Sequence, residues 1–257
     1  MLQAITRQVS PSIGACELTH LERQPIDVTL AERQHHAYED LLRKLGCQVI
    51  SLPVEPDLPD AVFVEDVALV LDEVAVITRP GAASRRPETP SIEQALKSFR
   101  QLCRITPPGT LDGGDILALG RRILVGISSR SNTTAVQQLT GYLKPFGYTV
   151  EAVTVRGCLH LKSAVTAAGE ETLLINPAWV DRNLFPGWNL IPVAAEESYG
   201  ANVLWTGTGR IYPAQYPLTR QQLEAAGLPV EMVDVSEIIK AEGAVTCCSL
   251  VFRILGR

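Results

Sequence analysis

The sequence predicts an α/β protein in which five similar modules close into one domain. Apolar segments with strand-like alternation recur in pairs, and amphipathic helices separate most pairs from a further strand. The paired strands begin near Val62, Leu111, Leu159, Asn202 and Val245. This spacing of about 43 to 50 residues is typical of propellers and repeat arrays. The length allows one large domain or two small ones, and the repeats favour a single domain over residues 1–257.

A strand, a loop and a long helix precede the first predicted hairpin. The initial residues predict an edge strand, and a loop rich in Pro, Ser and Gly follows it. Thr29 and Glu32 have capping-box spacing, and apolar residues then recur at helical intervals until Gly46. His35 and His36 lie in this helix among polar residues and are expected to be solvated or partly packed. The strand CQVISLPV and the hairpin AVFVEDVALVLD with EVAVITRPG come next.

The same order of elements then returns. A helix opens at Thr89-Pro90, where the missing N–H of proline costs little, and leads to the strand CRITPP. The hairpin TLDGGDILALG with RRILVGISS, the helix TTAVQQLTGYL, the strand TVEAVTV and the hairpin LHLKSAVTAAG with ETLLINPAW follow. A less regular fourth copy contains DRNLFPGW, NLIPVA and the pair ANVLWTG and RIYPAQY. A capping box at Thr219 to Gln222, a short helix, VEMVDV and a last strand, AVTCCSLVFRI, complete the pattern.

Composition and charge narrow the classes of partner. The net charge is −5 and the pI is near 5.5, with Lys and Arg scattered, so nucleic acid and anionic membrane surfaces are poor candidates. No apolar run approaches the roughly 18 residues of a membrane span, and the N-terminus lacks a signal-peptide core, which predicts a cytoplasmic protein. Six cysteines without CxxC spacing argue against a disulfide framework or structural zinc.

Residues suited to chemistry cluster at the starts of the hairpins. They are Asp60, Glu65, Asp66, Asp112, Asp115, His160, Cys247 and Cys248. If the modules surround a common axis, these starts converge on one central site. Cys247 or Cys248 with His160 and Asp112 supplies a thiol, an imidazole and a carboxylate, the set that activates a cysteine nucleophile. On a strand, one thiol of the pair would face the core and the other a cavity. Taken singly, each of these residues also fits a packing or turn role.

Two adjacent acids, Glu65 and Asp66, stand in an otherwise apolar hairpin and require a cation, because an unpaired buried charge costs several kcal/mol. An internal salt bridge to an arginine is one solution. The available arginines are Arg79, Arg85 and Arg86. The other solution is a substrate cation, and a planar guanidinium offers the donor fork that carboxylates accept in pairs.

Six ordered motifs, LPDAVFVEDVA, ITRPGAASRR, TLDGGDIL, VGISSRSN, LHLKS and VTCCS, resemble those of dimethylarginine dimethylaminohydrolases in the guanidine-modifying (pentein) superfamily. The resemblance covers essentially the whole chain. It implies a five-bladed α/β propeller of ββαβ-type modules with pseudo-fivefold symmetry. It also implies hydrolysis of asymmetric dimethylarginine or monomethylarginine to citrulline and dimethylamine or methylamine, without a cofactor or a metal. Such a protein would act on a small molecule as a monomer or a homodimer.

The resemblance also implies residue roles. Cys247 becomes the nucleophile that forms a covalent thiouronium intermediate, His160 the general acid and base, and Asp112 the carboxylate that orients His160, while Cys248 packs beside them. The implied substrate-binding residues are Leu18, Asp60, Glu65, Asp66, Arg85, Arg130 and Ala241. Of these, Leu18 and Ala241 would act through their backbones, and Arg85 and Arg130 would bind the substrate carboxylate.

Three other functions stay open at this point. An arginine deiminase would use the same triad of Cys247, His160 and Asp112, although that class generally has a helical insertion, and this chain has no stretch long enough for one. An amidinotransferase would use an amine in place of water. A propeller that binds an arginine-like ligand or senses redox state through its thiol is the non-enzymatic alternative.

Overall fold

The structure, a computed structural model, describes residues 1–254, so the last three positions of the predicted domain lie outside the described residues. The strands in this part of the chain are β1 (Leu2–Arg7), β2 (Cys47–Leu52), β3 (Ala68–Val70), β4 (Val74–Ile77), β5 (Gln101–Arg104), β6 (Ile116–Leu119), β7 (Arg122–Ile127), β8 (Thr149–Thr154), β9 (Val165–Ala167), β10 (Thr172–Ile175), β11 (Asn189–Pro192), β12 (Leu204–Trp205), β13 (Arg210–Pro213), β14 (Glu231–Val233) and β15 (Leu250–Arg253). The α-helices are α1 (Val28–Lys44), α2 (Thr89–Leu96), α3 (Thr133–Leu143), α4 (Leu161–Ala164), α5 (Pro217–Ala225) and α6 (Ser236–Ile239).

Within residues 1–254 the strands form five three-stranded sheets with one shared topology. The middle strand of each sheet pairs antiparallel with one neighbour and parallel with the other, as β4 does with β3 and β5. A parallel pair needs a crossover connection, and α2 supplies it in this sheet. The order strand, strand, crossover, strand is that of the predicted ββαβ modules, so the expected α/β architecture is confirmed.

Hydrogen bonds between neighbouring modules form a closed ring, which we call the axial ring. In order, the Gly114 N–H donates to Asp66, the Leu161 N–H to Asp115, the Asn202 amide to the Lys162 carbonyl, the Thr246 N–H to Asn202, and the Thr246 hydroxyl to Glu65. Each bond joins residues just before the first strand of one module to those of the next, and the last bond returns to the first module. This closure is the arrangement of a five-bladed propeller.

The fifth sheet joins the two ends of the described chain. β1 lies in the middle of this sheet, antiparallel to β15 and parallel to β2. The prediction that the first residues form an edge strand is therefore wrong. The alternation of apolar residues identifies a strand, but it does not show that its second partner comes from the opposite end of the chain.

Tight turns, and not strands, carry the chemically interesting residues. Val64–Val67 and Gly113–Asp115 form single 3-10 turns before β3 and β6, and α4 plays the same part before β9. The double cysteine lies in a turn that ends before Leu250, where β15 begins. The placement of the two acids and the two cysteines on strands is therefore wrong. Residues in such turns do not pair in the sheet, which leaves their backbone groups available for the axial ring.

The first helix differs from its sequence-based description in two details. The side chain of Asp27, and not of Thr29, caps α1 by accepting a hydrogen bond from the Leu30 N–H. His35 is buried, and burial lowers its pKa to about 4 despite the nearby Glu39 carboxylate, so the expectation of a solvated or partly packed side chain is wrong for His35. No helix within residues 1–254 combines the length and apolar character needed to cross a bilayer.

Candidate active site

Two adjacent glycines let the LDGGD segment approach both neighbouring modules. A Cβ atom on Gly113 would lie 1.9 Å from the Glu65 carbonyl oxygen, and one on Gly114 would lie 2.6 Å from Nδ1 of His160. Neither distance is compatible with a side chain. The glycines therefore allow the carboxylate at the start of the segment to reach the imidazole of the next module.

The predicted carboxylate and imidazole are hydrogen-bonded. Nε2 of His160 lies 3.2 Å from Oδ2 of Asp112, which is fully buried, and Nδ1 lies 3.9 Å from Oδ1 of Asp66. The other Asp112 oxygen accepts the Gly81 N–H at 2.9 Å. Burial lowers the pKa of His160, but the charge of Asp66 and the hydrogen bond to Asp112 outweigh it and raise this pKa to about 9. The ring is therefore an imidazolium at neutral pH.

Two cavities meet at His160 and Cys247. Cavity A, of about 20 Å³, has several charged residues in its lining, Asp60, Asp66, Arg85, Arg130 and Glu242 among them, and its wall also contains Ala241. Cavity B, of about 110 Å³, is mostly apolar, and its lining includes Leu21, Tyr199, Ile239 and Ala244. Cavity A has room for about one water molecule, so a ligand of amino-acid size requires movement of its walls.

Cys247 is the cysteine that faces these cavities. It is partly buried and lines both cavities. Burial and the charges of Glu65 and Asp66 raise its pKa well above the usual value and so favour the thiol over the thiolate. Cys248 is buried, and its thiol donates to the Ala244 carbonyl oxygen at 3.5 Å. Both observations fit a residue that packs beside the site.

Of the two adjacent acids, Asp66 forms the internal ion pair that the sequence left open. Its Oδ2 lies 2.5 Å from Nη1 of Arg85, whose remaining donors reach Glu88 and two backbone carbonyls. Burial raises the pKa of Asp66, but the charges of Arg85 and His160 outweigh it and lower this pKa to about 2. Burial raises the pKa of Glu88 to about 7. Arg85 lines cavity A while most of its donors serve this cluster.

Glu65 points to the propeller axis and has a different partner. Its Oε1 lies 2.5 Å from Nζ of Lys162, and its Oε2 accepts the Thr246 hydroxyl at 2.8 Å. Lys162 was not among the cations considered from the sequence, since it is 97 residues away. The pair lines cavity B, so Glu65 bears on the site through this ion pair.

The N-terminal loop lies over the site and is held by two carboxylates. Glu242 accepts hydrogen bonds from the N–H groups of Thr19, His20 and Leu21, and it does so from a left-handed backbone conformation with φ of 55°. Asp60 accepts the Glu17 N–H at 3.1 Å, and burial raises its pKa. We call residues 17–21 the lid.

Two further predicted residues contact the lid or cavity A. Arg130 is buried, and its guanidinium donates to the Thr19 hydroxyl at 3.1 Å and lies 3.8 Å from Asp112. Ala241 is buried in the wall of cavity A. Leu18 lies in the lid but packs against the hydrophobic core, and the lid residues that line the cavities in the described structure are Glu17, His20 and Leu21.

One group within residues 1–254 has the spacing of a metal site. Asp66, Asp112 and His160 each place a ligand atom within 4.8 Å of the others. Arg85 and Gly114 already bind Asp66, and His160 and Gly81 already bind Asp112. The ion pairs and hydrogen bonds of the protein itself therefore account for this cluster without a metal.

Sequence reasoning missed several residues of the site. They are Glu88, Lys162, Glu242 and the lid residues Glu17, His20 and Leu21. The sequence offered one usable signal, which is that Lys162 lies two residues after His160 in the motif LHLKS. The others contact the site only through the closed fold.

Comparison with known proteins identifies the family. The family model described as N,N dimethylarginine dimethylhydrolase, eukaryotic, matches residues 19–183. A protein of Streptomyces coelicolor named N(G),N(G)-dimethylarginine dimethylaminohydrolase is 41% identical over 257 residues, which cover 98% of each chain. A protein of the same name from Pseudomonas aeruginosa is 38% identical and is matched over 90% of its length and 88% of this chain.

A solved structure points to the same family of proteins. A cysteine-to-serine mutant of a Pseudomonas aeruginosa dimethylarginine dimethylaminohydrolase, in complex with citrulline, matches 98% of this chain and 100% of its own with a TM-score of 0.94 and 36% identity. The motif-based resemblance is thus confirmed over nearly the whole chain. This chain belongs to the dimethylarginine dimethylaminohydrolase family.

Proposed function

We propose that this protein hydrolyses asymmetric dimethylarginine and monomethylarginine to citrulline and dimethylamine or methylamine, with Cys247 as the nucleophile. The observation that carries the proposal is the meeting of the two cavities at Cys247 and His160, with buried charges of both signs in cavity A. A zwitterionic amino acid with a cationic side chain needs such a set of charges.

Cavity A supports binding of the amino-acid part of the substrate. Arg130 provides a guanidinium for the α-carboxylate, and the backbone at Ala241 provides polar groups for the α-ammonium. Leu18 packs against the core in the described structure, so its backbone would take part in this binding only after the lid moves. Asp60 and Asp66 provide negative charge for the substrate guanidinium. Arg85 acts in this scheme mainly by holding Asp66, because most of its donors are already engaged.

The first half of the reaction forms a covalent intermediate. The substrate cation stabilises the thiolate of Cys247, whose proton leaves to solvent, and the sulfur attacks the guanidinium carbon. His160, an imidazolium at neutral pH, donates its proton to the alkylated nitrogen. The C–N bond breaks, the amine departs and a thiouronium remains on Cys247.

The second half of the reaction consumes water. His160, now neutral and held by Asp112, removes a proton from a water molecule that attacks the thiouronium carbon. The C–S bond breaks and Cys247 leaves as a thiolate. The second proton of the attacking water passes to solvent, and citrulline is released. The two steps return His160 and Cys247 to the protonation states in which the covalent step began.

Cavity B supports a preference for alkylated nitrogen. It adjoins Cys247 and His160, its lining does not include Arg130, and the side chains of Leu21, Tyr199 and Ile239 form part of its apolar wall. Burial of a methyl group against such a wall contributes about 0.8 kcal/mol per carbon, whereas an unsubstituted nitrogen gains nothing from it.

A substrate panel tests the proposal. Citrulline and amine release would be measured with arginine, monomethylarginine, asymmetric dimethylarginine and symmetric dimethylarginine. We expect turnover of the monomethyl and asymmetric dimethyl forms. A clear preference for arginine would assign the chain to the deiminases, and absence of citrulline with all four would refute hydrolysis of this class.

A further inference from the structure

Asp115 is a fully buried carboxylate outside the predicted triad, and it accepts three hydrogen bonds. The donors are the Ser128 hydroxyl at 2.6 Å, the Ser131 hydroxyl at 2.6 Å and the Leu161 N–H at 3.0 Å. Asp115 is not among the described residues that line cavity A or B. A buried carboxylate requires compensation for the water it has lost, and Asp115 receives it from these three hydrogen bonds and from the charge of the nearby His160 imidazolium.

One of the three bonds fixes the position of His160. Leu161 is the first residue of α4, and His160 precedes it without a side-chain cap of its own. Oδ1 of Asp115 therefore satisfies an N–H at the start of that helix, one bond away from the acid and base residue. The backbone of Gly126 also packs closely against this oxygen, since a Cβ atom at that position would lie only 2.8 Å from it.

The other two bonds fix the segment that carries Arg130. The Ser128 hydroxyl oxygen accepts the N–H groups of Arg130 and Ser131 while it donates to Asp115. The Ser131 hydroxyl oxygen accepts the Asp112 N–H while it donates to Asp115. Asp115 thus connects the backbone segment that carries Arg130 with the backbone N–H of Asp112, through Ser128 and Ser131.

The direction of these hydrogen bonds requires a group that only accepts. The Ser128 hydroxyl oxygen accepts two backbone N–H groups and has no lone pair left, so it must donate toward Asp115. The Leu161 N–H can only donate, and the Ser131 hydroxyl donates to the same carboxylate oxygen as Ser128. An asparagine would present its amide nitrogen either to the serines or to Leu161, and a donor would then meet a donor. Ionised aspartate is the side chain of this size that satisfies all three donors.

We propose that Asp115 is a positioning residue that holds His160 and Arg130 at the separation the substrate requires, acting through the Leu161 N–H and through Ser128 and Ser131. The inference rests on the proposed function, because the separation matters only if one ligand spans both groups. It assigns to the LDGGD motif a second carboxylate with a task different from that of Asp112.

Steady-state kinetics on monomethylarginine test this inference. Asp115→Asn removes at least one of the three hydrogen bonds to this side chain. We expect kcat/KM to fall about 10- to 100-fold, as loss of one or two hydrogen bonds to a charged group predicts. Ser128→Ala releases only the Arg130 segment, so KM should rise about fivefold or more while kcat stays within about twofold of wild type. Glu39→Gln is the matched control, since Glu39 is also buried and accepts a hydroxyl, from Thr6.

The split between KM and kcat distinguishes positioning from a general loss of stability, which would lower the active fraction and leave KM unchanged. If Asp115→Asn folds and keeps both constants within about twofold of wild type, the inference is wrong. If Asp115→Asn fails to fold, Ser128→Ala decides in its place, and an unchanged KM overturns the inference.

A measurement without turnover separates this inference from the proposed function. NMR titration of the His160 ring reports its surroundings, which include the carboxylates of Asp66, Asp112 and Asp115, the Cys247 thiol and the Arg130 guanidinium. Loss of the Asp115 charge lowers the pKa of the ring by itself, so the readout for position is the chemical shift of the fully protonated ring. We expect this shift to be altered in Asp115→Asn and to match wild type in Glu39→Gln. An inactive wild type with this response would refute the function and keep the positioning role, whereas an unaltered ring in Asp115→Asn would refute the positioning role.

Discussion

Nε2 of His160 lies 3.2 Å from Oδ2 of Asp112, between modules whose contributing residues are 48 positions apart in the chain. On its other side the ring faces Asp66, 3.9 Å from Nδ1. Carboxylates on two sides keep the imidazole protonated despite its burial. In the proposed reaction, the protonated His160 ring therefore first donates a proton to the departing amine and only then acts as a base.

Activity should therefore decline as the pH rises through the pKa of His160, which is about 9. Asp112→Asn removes an acceptor that raises this pKa, so we expect the declining limb of kcat to move to lower pH and kcat to fall about 10²- to 10⁴-fold. The measurement is kcat between about pH 6 and 10. Asp40→Asn, at an exposed position on α1, is the control. An unmoved limb in Asp112→Asn would contradict the role of His160 as the acid.

Substitution of Cys247 and substitution of Cys248 should have different effects on activity. Cys247→Ser is expected to lose citrulline release by a factor of about 10³ or more while it stays folded, because a serine hydroxyl is a far weaker nucleophile than a thiolate. Cys248→Ser retains a donor toward the Ala244 carbonyl and should keep most of its activity. Circular dichroism checks the fold of both variants. Loss of activity in Cys248→Ser with retention in Cys247→Ser would move the nucleophile by one residue.

Arg130 should matter only for substrates with a carboxylate. Loss of a charge-assisted hydrogen bond costs about 1.5–3 kcal/mol, so Arg130→Ala should raise KM for monomethylarginine roughly 10- to 100-fold. The decarboxylated analogue, N-methylagmatine, lacks the group that Arg130 would bind. If the variant loses as much on this analogue as on monomethylarginine, Arg130 does not act through the carboxylate.

Glu242 should control the opening of the lid. Glu242→Gln replaces an acceptor shared by three N–H groups with a side chain that also donates, so we expect faster amide exchange at Thr19, His20 and Leu21 by a factor of about 10 or more. Hydrogen exchange followed by mass spectrometry measures it. Glu22→Gln alters the exposed neighbour of the lid and should leave the exchange unchanged. Equal exchange in wild type and Glu242→Gln would mean that other contacts hold the lid.

Loss of Lys162 alone should destabilise the protein more than loss of both members of its ion pair with Glu65. Lys162→Met leaves the Glu65 carboxylate without its cation and should lower the free energy of unfolding by about 2–4 kcal/mol, given the partial exposure of the lysine. The double variant Glu65→Gln with Lys162→Met should recover part of that loss, as urea denaturation would show. A double variant less stable than Lys162→Met would exclude this explanation.

Local patterns in the sequence were sufficient for the modules. The helix predicted from TTAVQQLTGYL is α3 residue for residue, and the period of the hairpins corresponds to the five sheets. Such patterns succeed because strand alternation and helical periodicity reflect burial within one module. They failed at the tight turns before the first strands, where an acid or a cysteine among apolar residues looks like part of the strand.

By itself the sequence determined the order of the five modules, the residue types of the site and, through its motifs, the family. Only the tertiary structure decided the partners: Arg85 for Asp66, Lys162 for Glu65, Glu242 for a lid more than 200 residues away, and Ser128 and Ser131 for Asp115. The physical reason is the axial ring. Closure of five modules brings turns from distant parts of the chain within hydrogen-bonding distance, and no local periodicity records which donor will meet which carboxylate.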